Sequence, residues 1–351
     1  MESEAISLNT NFNQPTRKRI DWIDVAKFFG IILVVIGHKL DHDIWRGIIF
    51  SFHMPLFFIL SFMTTKLSDS FATFKKQTLK RFLHLIVPFY LTLIVVYLVW
   101  IIAKPSLFLD GVWWRDAITR VICYDGPGTR HVCSIWFLYA LFVGQSIFDL
   151  LHLVLKKDSY LLIACLTLTL IGVAIGSAGI IMPFALDMAL ASMAFMFLGY
   201  WLKNHDFSKH SILRLMISLV VWAVCFFITY NDFTVDTYFE IFMRRYTYFP
   251  ICFIGAAAGS IFVMQLCYFF CKIPHVYKPF AFLGRYTLYI VCVHTLDQFF
   301  WKKYFQIYPV PIYNHLITIA FFTGVFLIVL GIRLLITFLI KKSKEKTTSV
   351  A

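Results

Sequence analysis

Long apolar runs separated by short polar segments dominate the chain. A helix needs about 20 apolar residues to cross a hydrocarbon core roughly 30 Å thick. Stretches of that kind lie at 20–40, 44–63, 82–103, 132–154, 159–178, 183–202, 211–230, 246–271, 280–301 and 315–340. They predict an all-α, polytopic transmembrane bundle of about ten spans. Pro55 falls inside the second run and predicts a kink, which a membrane tolerates where neighbouring helices or a cavity satisfy the freed backbone groups. The long extramembrane stretch is 104–131; Trp113 to Ile122 reads as an amphipathic helix in the interface, and DGPG at 125–128 as a turn. No repeat of fixed period or separate soluble domain is visible. The chain divides into a polar tail (1–19), a membrane domain (20–340) and a basic tail (341–351).

Composition sharpens the class. Of 351 residues, 60% are hydrophobic and 15% charged, against about 45–50% and about 25% in soluble domains. A water-soluble fold cannot hide so much apolar surface. The first 19 residues lack the apolar core of a signal peptide.

The net charge of +13 raises the question of nucleic acid, and its distribution answers it. With Arg17, Lys18 and Arg19 just before the first span, the positive-inside bias places the N-terminus in the cytoplasm. An even number of spans returns the C-terminal tail to that side. Alternating segments then carry 19 Lys and Arg inside and ten outside, where the loops are also rich in acids. Topology accounts for the basic excess, and a nucleic-acid partner is not needed. Lys27, Arg285 and Arg333 remain within spans, where charge normally faces a protein interior or a wet cavity. Arg333 is close enough to a span end to snorkel.

The most informative stretch is 21–63. Lys27 and His38 are eleven residues apart, so they share one helical face, with Asp24 a turn before Lys27. A rise of about 1.5 Å per residue separates Lys27 from His38 by roughly 16 Å, which suits the wall of a cavity better than a dyad. Asp24–Lys27 reads equally well as a pair pinning the helix, and His38 as a hydrogen-bonded interface residue. His53, beside Pro55, adds a second intramembrane histidine and suggests a polar site shared by the two helices. Imidazole is suited to removing a hydroxyl proton near neutral pH. Among the eight Cys, Cys267 and Cys271 have no His or acid beside them and read as packing. Cys123 and Cys133 flank the DGPG turn, where a disulfide and two free thiols are both compatible with the spacing.

The run RIDWIDVAKFFGIILVVIGH, followed by IIFSFHMPLFFILSF, resembles the opening of the acyltransferase-3 family of bacterial integral membrane acyltransferases, in particular its fucose 4-O-acetylase-like branch. SIWFLYALF at 134–142, ALDMALASMAFMFLGY at 185–200 and FLGRYTLYIVCVHTL at 282–296 fit the family's order. The resemblance carries over a basic residue, ten intervening positions and a histidine, as Lys27 and His38. It implies that His38 is the essential base or acyl relay, with His53, Asp24 and Lys27 in the catalytic set. It also maps Trp136, Arg285 and His294 onto family positions. Two departures stand out: Ser61-Phe62 replaces a Ser-Gly pair, and KKQTLKR at 75–81 replaces an Arg-x-x-Arg motif.

The resemblance implies transfer of an acetyl group from cytoplasmic acetyl-CoA to a sugar hydroxyl of a cell-surface polysaccharide or its lipid-linked precursor, at the bacterial inner membrane and without a metal. Lys76, Lys80 and Arg81 would hold the donor phosphates, and Arg285 would assist by offsetting charge on the thioester oxyanion. His294 and Trp136 would contact the acceptor, as would Trp113 and Trp114, whose indoles serve equally as interfacial anchors. A glycan exporter or flippase, and the same chemistry with a succinyl group, are the alternatives. A homo-oligomer is compatible with either.

Overall fold

Helix α1 (Asp21–Lys39) starts where charge favours it, with Asp21 and Asp24 in its first turn against the positive end of the helix dipole. The second apolar run forms two helices, α2 (Ile44–Phe50) and α3 (His53–Thr64). The break falls at Ser51–Phe52, because Pro55 has no N–H and its ring excludes the carbonyl four residues earlier. Polar side chains close over the break: Trp222 Nε1 donates to Ser51 Oγ at 2.9 Å, and Ser260 Oγ joins Leu56 N at the Phe52 carbonyl, at 3.2 Å. The computed structural model describes residues 19–40, 44–122, 133–230 and 238–304, with Gly324 and Gly331. The described residues are all-α apart from one isolated bridge, Glu240 to Arg245.

The segment 66–81, between the second and third apolar runs, is mostly helix. Ser70 and Thr73 form a capping box that opens α4 (Phe71–Arg81). A π turn at Phe82–Ile86 then joins α4 to α5 (Val87–Ala103). The interfacial stretch forms α6 (Gly111–Ile122), and the next spans are α7 (Trp136–Val154) and α8 (Asp158–Ser177). The sixth run is bent by 58° between α9 (Leu186–Ala191) and α10 (Met193–Lys203). After α11 (Ser211–Thr229) and α12 (Ile251–Phe270), the ninth run is divided as well, into α13 (Lys278–Gly284) and α14 (Thr287–Tyr304).

Among the described residues, six segments are long and apolar enough to cross a membrane, or seven if the bent α9–α10 pair is one span. The charges of α1 keep it out of that set. The tenth run, 315–340, lies outside the described residues apart from Gly324 and Gly331, and Cys123, the DGPG turn and the tail at 341–351 lie outside them altogether.

The α2–α3 pair is the most enclosed span, while α8 and α11 present Leu, Ile and Phe side chains outward, as lipid-facing helices do. Close approach depends on small residues. A Cβ on Gly199 of α10 would meet the Ile59 carbonyl of α3, and one on Gly172 of α8 would meet the backbone of α9. Phe58, Phe62, Phe89, Phe148 and Phe195 fill the interior between these contacts.

Candidate functional site

The sequence-predicted residues separate into clusters at the two ends of α1. At the N-terminal end, buried Asp24 is ringed by three cations: Arg285 Nε at 3.6 Å, Arg19 Nη1 at 3.8 Å and Lys27 Nζ at 3.9 Å. Arg285 Nη2 also lies 3.8 Å from Asp21. These are ion pairs too long for good hydrogen bonds. Three cations against two carboxylates leave the cluster with a net charge of +1. Arg285 reaches it because the ninth run breaks there: Gly284 brings α13 against the Asp24 backbone before α14 begins.

At the C-terminal end, His38 meets His294 of α14, with ring centroids 5.4 Å apart. Phe50 stands edge-on to His38 at 5.5 Å, and the His53 ring is 4.6 Å from the same Phe50 ring. The His53 Nδ1–H donates to the Ile49 carbonyl at 3.0 Å, which leaves Nε2 as the acceptor nitrogen. His53 thus ties down a carbonyl at the α2–α3 break. The polar site expected between the first two helices also takes in His294 of α14. Arg46 lies 4.8 Å over Phe50 and 5.9 Å from the Tyr238 ring, and Arg245 lies 5.8 Å from Tyr238.

Asp24 and His38 are fourteen residues apart on α1, hence about 21 Å along the helix. Arg285, which pairs with Asp24, therefore lies at the opposite end of α1 from His38.

Lys76 and Lys80 are exposed on α4, but Arg81 is buried. Its Nη1 lies 2.7 Å from Asp149 Oδ2, and its Nη2 donates to the Lys66 carbonyl at 3.1 Å. The Asp149 carboxylate also accepts from Ser68 N at 2.7 Å and Ser68 Oγ at 2.8 Å. This guanidinium fastens the α3–α4 turn onto α7.

Trp136 is buried at the first residue of α7, 5.7 Å from the Phe242 ring. Trp113 and Trp114 pack around Tyr97 of α5 at 5.7 and 6.4 Å, and the Trp114 indole N–H donates to the Phe108 carbonyl at 3.0 Å. Among the described residues no group of His, Cys, Asp and Glu converges in a way that could hold a metal ion.

Two buried ion pairs escaped sequence reasoning. One is Arg81–Asp149; the other is Arg244–Asp187, at 2.8 Å, where the loop before α12 folds back onto α9. Asp149 and Asp187 carried a usable signal, being lone acids within apolar runs. Arg244, in a polar loop, carried none.

A family model described as an acyltransferase domain matches residues 20–338. No curated protein and no solved structure matches the chain.

Proposed function

The chain belongs to this acyltransferase family, and from that premise we propose that it is a membrane O-acetyltransferase that moves an acetyl group from cytoplasmic acetyl-CoA to a sugar hydroxyl. The acceptor is a cell-surface polysaccharide or its lipid-linked precursor, as in the fucose 4-O-acetylase-like branch that the opening sequence resembles. The family supplies the reaction class, and the enzyme spans a membrane repeatedly. In this reading ten spans cross the bacterial inner membrane with both termini in the cytoplasm.

The observation that carries the reading is the division of charge and imidazole between the ends of α1. A donor bearing phosphates needs cations where it enters; Arg285 and Lys27 are at one end, with Lys76 and Lys80 exposed on α4. A sugar hydroxyl needs a base, and the His38–His294 pair is at the other end. His38 removes the hydroxyl proton, or carries the acyl group between thioester and sugar, and His294 holds the ring that does so. The face of α1 between the clusters is the path along which the acyl end of the donor meets the acceptor.

Expression of His38→Ala in a strain lacking the native protein tests the reading. O-acetylation of the surface glycan is expected to disappear with the protein level unchanged. Purified wild-type protein is expected to release free thiol from acetyl-CoA when an acceptor is added. A flippase would release none, and a succinyl-transferring enzyme would require succinyl-CoA.

A further inference from the structure

A cavity of about 250 Å³ opens where the first turn of α1 meets the end of α10, on the same face of the bundle as the Asp24 cluster. Its lining includes Trp22, Phe207 and Tyr268, with Lys203 and Asp206 among its polar residues. Trp22 and Phe207 are stacked at 4.6 Å and 12°, and Tyr268 stands edge-on to them at 6.4 and 6.2 Å. The aromatic wall is flanked by positive charge: Lys272 Nζ lies 4.9 Å over Tyr268, and the Arg214 guanidinium 4.8 Å over Phe207. Lys203 adds a third cation and donates to the Thr65 carbonyl at 2.6 Å.

Asp206 is the acid among these cations. Its Oδ1 accepts from Ser208 N at 2.9 Å and Ser208 Oγ at 2.6 Å, and those bonds hold its carboxyl below the usual carboxylate range. Asp206 is therefore an ionised acceptor at neutral pH. The cavity is smaller than the roughly 300–1,000 Å³ that enclose a drug-sized ligand, so it admits one end of a long cofactor and not the whole. Phe207 is covered by Trp22 and Arg214, so Trp22 is the ring that can stack on a planar ligand; with one charged acceptor and flanking cations it matches a purine ring that carries an exocyclic amine and a phosphate.

We propose that this cavity seats the adenine nucleotide end of the acyl donor, with the adenine amino group donating to Asp206. The inference rests on acetyl-CoA being the donor. It moves the recognition of the nucleotide from α4 to the junction of α1, α10 and α12.

The test uses full-length protein in detergent micelles and titration calorimetry. The probes are coenzyme A, adenosine 3′,5′-bisphosphate and its inosine counterpart, which presents a carbonyl where adenosine has the amine. Wild type is expected to favour the adenosine probe at least tenfold, about the size of one well-formed hydrogen bond to a charged group. Asp206→Asn, at an exposed position, is expected to abolish that preference because an amide can donate as well as accept. Trp22→Leu is expected to weaken all three probes about tenfold and Trp22→Phe to restore most of the loss. If Asp206→Asn keeps the adenosine preference and folded Trp22→Leu binds coenzyme A like wild type, the cavity is only an interfacial anchor and the proposal falls, while the donor assignment stands. If wild type binds no coenzyme A and releases no thiol from acetyl-CoA, the donor assignment itself falls and takes this proposal with it.

Discussion

His38 and His294, 256 positions apart in sequence, bring their imidazole rings to 5.4 Å of each other from α1 and α14. His294 is buried, and Phe50 closes one side of His38. A base held by a second ring works with it as a unit, and residues that act as a unit give non-additive losses. His38→Ala and His294→Ala are each expected to lower turnover by about 10²–10⁴-fold, the usual range for a general base or its support. The double variant is expected to be no worse than the weaker single variant. Thiol release from acetyl-CoA in the presence of acceptor reads this; losses that multiply would mean that the two rings serve separate steps.

Arg81 and Asp149 should behave as a structural pair. Removing one partner strands a buried charge, at a cost of about 3–5 kcal/mol, whereas replacing both with apolar residues is often close to neutral. Asp149→Ala is therefore expected to lower the detergent-solubilised Tm sharply, and Arg81→Met with Asp149→Leu to recover most of it. Donor affinity in that double variant should equal the wild-type value. A tenfold loss of coenzyme A affinity in folded double variant would return Arg81 to the donor site.

These two cases show what was legible in the sequence and what was not. Helix positions were readable because lipid-facing α8 and α11 need continuous apolar runs, and the fixed rise per residue showed in advance that Lys27 and His38 cannot touch. Breaks within runs were less readable. Pro55 announced one, but the junction at Arg285 arises from the close approach of Gly284 to Asp24, a tertiary contact with no local signature. Pairing across helices was the least readable. His53 suggested a polar site shared by the first two helices, and both it and His38 do meet Phe50, while His294 arrives from a helix whose docking one sequence does not encode visibly.

Trp113 and Trp114 pack on Tyr97, and the Trp114 indole N–H is already bonded to Phe108. Their rings are thus engaged in fastening α6 to α5. Trp114→Ala is expected to lower Tm while leaving the KM for the saccharide acceptor within about twofold of wild type, since no bound-state contact is lost. A tenfold rise in KM at unchanged Tm would assign the indole to sugar stacking instead.

Gly284 offers the most local test of the Asp24 cluster. A side chain there would run into the Asp24 backbone carbonyl, and backbone cannot rotate out of the way as a flexible side chain can. In Gly284→Ala, α13 must retreat from α1, which pulls Arg285 away from the carboxylate now 3.6 Å from it. Overpacking of this kind costs about 1–3 kcal/mol, and the loosened cluster is expected to raise the KM for acetyl-CoA as well as lower Tm. Gly111→Ala is the control: nothing lies within 4 Å of a Cβ at Gly111, so the better helix propensity of alanine, up to about 1 kcal/mol, should leave Tm unchanged or higher. Wild-type Tm and KM in Gly284→Ala would show that α1 and α13 are free to slide, and that the cation cluster does not depend on their contact.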